Sequence, residues 1–132
     1  MNSPLSGGSA GAARRVRKRP EFLQIQSTGQ RIPTRDFILI IARAGEPHQL
    51  PRLGVTASKR VGNAVRRNRL KRIVRAAFRL WPDLIPPGFD LVVICRRDYP
   101  EIGTESTLAQ WRSVEKRVKK AVAQLERISV GS

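Results

Sequence analysis

The sequence predicts an α+β protein, an α/β sandwich built on a small sheet. Three observations carry this. DFILIIA (36–42) and FDLVVICR (89–96) have the length and β-branched, apolar composition of buried strands. Segments near 64–81 and 104–127 repeat apolar residues at helical spacing. Helices and strands also alternate along the chain instead of falling into separate blocks, and 132 residues suffice for one modest core.

Residues 1–13, MNSPLSGGSAGAA, are rich in Gly, Ser and Ala, the composition of a disordered tail. RRVRKRP then sets five basic residues before Pro20, either a solvated arm or one that touches nucleic acid. Pro20-Glu21 suits the first turn of a helix carrying Phe22, Leu23 and Ile25 and stopping at Gly29. The strand at 36–42 follows. AGEPHQLPR turns the chain, and RLGVTAS (52–58) forms a second strand expected to lie beside the first. Asn63 is an N-cap candidate and Pro82 a stop, bounding a helix over 64–81. Pro86-Pro87-Gly88 turns into the strand at 89–96. The last helix, 104–127, aligns Leu108, Trp111, Val118, Val122 and Leu125 on one face. One RNA-binding domain is expected over 16–127, between disordered tails at 1–15 and 128–132.

The formal net charge is +16 and the sequence pI about 11.7. Such self-repulsion calls for a polyanionic partner, nucleic acid before an anionic membrane. No apolar run approaches the roughly 20 residues needed to span a bilayer, and the N-terminus lacks a signal-like apolar core. Cys95, the one cysteine, lies in the apolar run LVVIC and reads as a core residue in a reducing cytoplasm.

KRVGNAVRRNRLKRIVR (59–75) holds the densest charge and contains no acid. At about 100° per residue, Leu70, Ile73, Val74, Ala77, Leu80 and Trp81 form an apolar stripe. Asn68, Lys71, Arg72, Arg75 and Arg79 lie opposite; Arg67 and Arg69 flank the stripe, and Arg66 falls towards it. A solvated helix face mixes signs, because Glu–Lys pairs four residues apart stabilise it. With no acid between 59 and 82, something outside must neutralise this ridge. Phosphate fits, since Arg offers a planar fork matched to its oxygens. The free N–H groups after Asn63, with Lys59 and Arg60 before it, offer a second anion site.

GNAVRRNRLKR closely resembles the signature of the bacterial ribonuclease P protein family. The signature reads Arg67-Asn68-Arg69, preceded by Lys59, Gly62, Asn63, Ala64 and Val65 and followed by Lys71, Arg72 and Arg75. RLGVTASKR looks like the strand that leads into it, FLQIQSTGQRIPTRDFIL like the first helix and strand, and FDLVVICR like the last strand. The resemblance covers about residues 16–123. It implies a four-stranded, mostly parallel sheet with about three helices and a left-handed βαβ crossover. A similar domain occurs in a small-subunit ribosomal protein and a translocation factor. It also implies a role: the protein subunit of an endoribonuclease that matures tRNA 5′ ends, with chemistry carried by an RNA subunit and its Mg2+. The implied partners are that RNA, in a 1:1 complex, and precursor tRNA, in the cytoplasm. No membrane is involved.

On this resemblance Lys59, Arg60, Asn63, Arg66, Arg67, Asn68, Arg69, Lys71, Arg72 and Arg75 face the RNA subunit. A cleft between the first helix and the sheet would hold the single-stranded 5′ leader. Its candidates here are Arg17, Lys18, Phe22, Gln26, Phe37, Ile40 and Arg97. Gln26 and Ile40 stand where the family often has aromatics, and aromatic faces stack on bases at about 1–3 kcal/mol each. Lys59 and Arg60 are further candidates to track leader phosphates.

No catalytic or metal-binding residue is expected. His48 is the only histidine, in a proline-flanked loop, and the acids are scattered. A protein nuclease needs paired carboxylates on metals or an acid–base pair. Three alternatives stay open: an rRNA-binding protein with the same sandwich, an independent nuclease, and a DNA-binding protein. The last is disfavoured because little besides Asn68 could read bases.

Overall fold

The computed structural model describes residues 15–16, 19–45 and 50–131, with side chains through residue 127. Its elements are α1 (Arg19–Thr28), β1 (Gln30–Pro33), β2 (Phe37–Arg43), β3 (Arg52–Ala57), α2 (Ala64–Leu80), β4 (Phe89–Cys95), α3 (Thr104–Ser113) and α4 (Glu115–Gly131). The strands form one sheet in the order β1-β2-β4-β3.

The sheet is mixed. Only β3 and β4 pair in parallel, with Leu53 opposite Leu91 and Val55 opposite Val93. β1–β2 and β2–β4 are antiparallel, which corrects the mostly parallel sheet implied by resemblance. The cause is connection length. Residues 34–36 are too short for anything but a reversal, whereas α2 gives β3 and β4 the long crossover that a parallel pair needs. The expected neighbour of β3 was β2; instead β4 slots between them.

Four helices rather than about three are described. The segment expected as one helix breaks at Val114, whose N–H bonds to the Trp111 carbonyl at 3.1 Å in a tightened turn. α4 then runs to Gly131, past residue 127 where the domain was expected to end. At the other end Arg15, placed in the expected N-terminal tail, bridges Leu53 on the outer edge of β3.

The two sheet faces are unequal. Phe37, Leu39, Ile41, Leu91 and Val93 point to the face covered by α2, α3 and α4. They pack there with Leu70, Val74, Ala77, Trp111, Val118 and Leu125. Ile40, Ala42 and Val92 point to the other face, where Val16 and Ile25 of the N-terminal segment and α1 cover them. Leu23, expected inside, is exposed. Gly29 follows α1, and only glycine fits there, since a Cβ would sit 2.5 Å from Ile40 Cγ2 and 2.7 Å from the Ile25 carbonyl oxygen. Beside this small cluster, Arg52 donates to Asp90 from Nε (3.0 Å) and Nη2 (2.9 Å) and to Glu21 from Nη1 (3.0 Å). The triad ties α1 to β3 and β4, and both carboxylates push the Arg52 guanidinium above its ordinary pKa.

Candidate nucleic-acid interface

α2 begins as its sequence dictates. Asn63 is extended (φ −72°, ψ 178°), and its Oδ1 accepts from the Arg66 N–H at 3.0 Å. Trp81 closes the helix by donating its N–H to the Phe78 carbonyl at 3.2 Å, and Pro82 prevents continuation. Leu70, Val74, Ala77 and Phe78 are buried, so Phe78 takes the place expected for Leu80, which is exposed. At Gly62 a Cβ would meet Arg66 Cδ at 2.9 Å, so the Arg66 side chain lies close over the turn that leads in.

The opposite side of α2 is a cationic ridge between two grooves. Arg66, Asn68, Arg72 and Arg79 are exposed, as are Lys59 and Arg60 in the turn that leads in. The first groove, about 680 Å3, lies between α1, the outer edge of β3 and α2; Arg15, Arg19, Phe22, Gln26, Lys71 and Arg75 line it. The second, about 510 Å3, runs between α2 and the start of α3, past Arg72, Arg79 and Thr104. Burial, then Arg15 and Arg79 nearby, push the Arg75 guanidinium below its ordinary pKa, the mark of cations crowded without an acid. An anion would relieve that crowding.

The expected RNA-subunit residues are thus brought together on and beside one surface. Arg69 lies on its flank, lining the second groove with Arg72, and is also paired within the chain: its Nη1 donates to Asp98 Oδ1 at 3.0 Å and its Nη2 to the Pro100 and Ile102 carbonyls. Lys71 and Arg75 face the first groove as well as the ridge, so the two expected interfaces are continuous.

The expected leader residues are scattered. Phe22 and Gln26 do line the first groove. Phe37 is fully buried on the opposite sheet face, and Ile40 is fully buried under α1, so neither offers a surface to a base. Arg97 lies past the end of β4 with Nε 3.9 Å from Asp36 Oδ1, outside the residues lining the groove. Arg17, Lys18 and His48 fall outside the described residues. Arg15 and Arg19, of the same basic arm, line the groove.

Cys95 is buried, and that burial pushes its thiol up to about 12, so it stays a thiol. Among the described residues no three His, Cys, Asp or Glu side chains cluster to hold a metal ion. None of the described helices is long and apolar enough to cross a membrane.

Comparison with known proteins places these features. The family model described as Ribonuclease P matches residues 11–124. The chain is 42% identical over 82 residues to a ribonuclease P protein component of Syntrophus aciditrophicus, covering 62% of this chain and 67% of that protein. A Shouchella clausii protein of the same name is 37% identical over 105 residues, 80% of this chain and 85% of its own. Among solved structures, the RNase P protein of Staphylococcus aureus superposes with a TM-score of 0.69 at 31% identity, over 81% of this chain and 96% of that one. The Thermotoga maritima RNase P protein gives 0.67 at 33%, over 78% and 96%.

Proposed function

The chain belongs to the ribonuclease P protein family, and from that premise we propose how its surface serves the ribonucleoprotein that removes 5′ leaders from precursor tRNA. The carrying observation is the acid-free ridge of Lys59, Arg60, Arg66, Arg67, Lys71, Arg72, Arg75 and Arg79, continuous with the groove beside α1. The ridge binds the catalytic RNA, in a 1:1 complex. The groove takes the single-stranded leader, with Arg15, Arg19, Lys71 and Arg75 for its phosphates and the edge of Phe22 for a base. Only precursor tRNA offers that strand, so the groove distinguishes substrate from product.

The protein's work is electrostatic. Two RNAs approach one another only if their phosphate repulsion is reduced, and a ridge that shares Lys71 and Arg75 with the groove lowers the potential where they meet. The hydrolysis belongs to the RNA subunit, with Mg2+ held by RNA oxygens. The chain's most buried carboxylates are committed elsewhere: Asp90 to Arg52, which also pairs with Glu21, Asp98 to Arg69, and Asp36 to Tyr99 and Gln110. The cytoplasm, where precursor tRNA is made in bacteria, is the proposed location.

Cleavage of a precursor tRNA by a bacterial ribonuclease P RNA at low Mg2+, with and without the protein, tests this. Cleavage should need both components. If six to eight cations each displace a counterion, log K for RNA binding should fall against log salt with a slope of roughly −4 to −7. Tight, salt-sensitive binding to the RNA without rescue of cleavage would overturn the cofactor role and leave an rRNA-type binding protein.

A further inference from the structure

The two arginines of Arg67-Asn68-Arg69 lie two residues apart on α2 and meet opposite surroundings. Arg69 is saturated. Its fork donates to Asp98, Pro100 and Ile102, all within the loop that joins β4 to α3. The Asp98 side chain is only 7% exposed, so its charge is spent on this pair. The same loop is tied down from its far side. Tyr99 donates its hydroxyl to Asp36 Oδ2 at 2.6 Å, and Gln110 of α3 donates Nε2 to that oxygen at 2.6 Å. Asp36 is itself fully buried.

Arg67 is the reverse case. It is half-buried on the flank of the ridge, and its Nε is buried with no hydrogen-bond partner. A buried N–H without an acceptor costs free energy in the isolated protein, and no ion pair among the described residues neutralises the charge of the Arg67 guanidinium. Arg67 is also next to exposed Arg66 and Asn68, where an RNA strand would pass.

We propose that the pair divides the labour: Arg67 takes a phosphodiester oxygen of the RNA, whereas Arg69 touches no RNA and acts as a positioning residue. Arg69 holds the 98–102 loop against α2 and thereby sets the groove in which Arg72 and Arg79 face Gly103 and Thr104. This rests on α2 being the RNA-binding face. A neutralised Arg69–Asp98 pair carries no net charge, so it displaces no counterion from RNA. Arg67 displaces one.

The test measures binding of the full chain to a bacterial ribonuclease P RNA against salt concentration, alongside thermal unfolding, for single variants. Arg67→Gln and Arg72→Gln should each reduce the magnitude of the salt slope by about 0.7–0.9. Arg69→Gln should keep the wild-type slope and lower Tm. Well below that Tm it should still weaken binding by about threefold to tenfold, a change that lost stability alone would not give. Arg69→Lys keeps the charge but loses the fork, so it should stay destabilised; a phosphate contact at 69 would be largely retained by Lys. Asp98→Asn should lower Tm similarly and add little to Arg69→Gln. A slope that falls for Arg69→Gln as it does for Arg67→Gln, with Tm unchanged, would overturn the division. If Arg67→Gln and Arg72→Gln alter neither slope nor affinity, α2 is not the RNA face and the proposal falls with that reading.

Discussion

The two faces of the sheet differ in how they are closed. One is covered by three helices, which seal Phe37, Leu39, Ile41, Leu91 and Val93 under Leu70, Val74 and Trp111. The other has α1 and the short segment at Val16, which cover a small cluster of Ile40, Ala42 and Val92 beside an ion triad and an open groove. Stability is therefore concentrated on one face and ligand access on the other. α2 belongs to both regimes, since its apolar stripe packs into the sealed face while its cations border the groove.

Swapping one phenylalanine at a time should expose that contrast most strongly. Phe37→Ala removes a fully buried ring from the sealed face and should cost about 3–5 kcal/mol in a urea or thermal unfolding experiment. The half-buried Phe22 lines the groove, so Phe22→Ala should cost much less stability and act chiefly on binding of leader-bearing precursor tRNA. Equal destabilisation by the two would mean that the α1 face is as much a core as the other. The ion triad should come next. Arg52→Ala leaves Asp90, with its side chain 3% exposed, without its counter-charge, at a cost of about 3 kcal/mol. It should also loosen α1, raising the Kd for the leader more than the Kd for the RNA subunit. A variant with both affinities equally reduced would show that α1 supports α2 as well.

What the sequence revealed follows the same division. Local signals read well. The Asn63 cap and Pro82 bounded α2 to within a residue, and the strands at 36–42 and 89–96 are off by one. The acid-free run 59–82 announced the ridge because a missing counter-charge is visible without coordinates. Which face a strand residue takes was not legible. FILIIA and LVVI are apolar at both parities, so no alternation separates Phe37 from Ile40, and both were given to a cleft that neither enters. QRIP carries almost no periodic signal, because it is a four-residue edge strand with one buried side chain, Ile32, and a proline. The Arg69–Asp98 pair spans 29 positions, a separation no spacing rule predicts. Long-range geometry decided the faces and the ion pair; only the short edge strand was hidden by its own brevity.

The smallest expected effect lies at the rim where the faces meet, at Asp36. Burial raises the pKa of this carboxyl, but hydrogen bonds from Tyr99 and Gln110 and the charge of Arg35 outweigh it and hold the carboxyl below the ordinary value of 3.8. A folded pKa below the unfolded one gives stability that is complete above the unfolded pKa and lost as pH falls through the folded one. The contribution should therefore be constant from neutral pH down to about 4 and fade below it. Other carboxylates titrate in the same range, so the useful quantity is the difference between wild type and Asp36→Asn. That difference should be roughly 1–2 kcal/mol at pH 7, since a charged acceptor is lost while the amide keeps the shape. It should shrink as pH drops below about 4, because protonated Asp36 and Asn then carry the same charge. A constant difference down to pH 2 would mean that the Tyr99 and Gln110 bonds, not the charge, hold the loop. In that case the rim would behave like the sealed face rather than the open one.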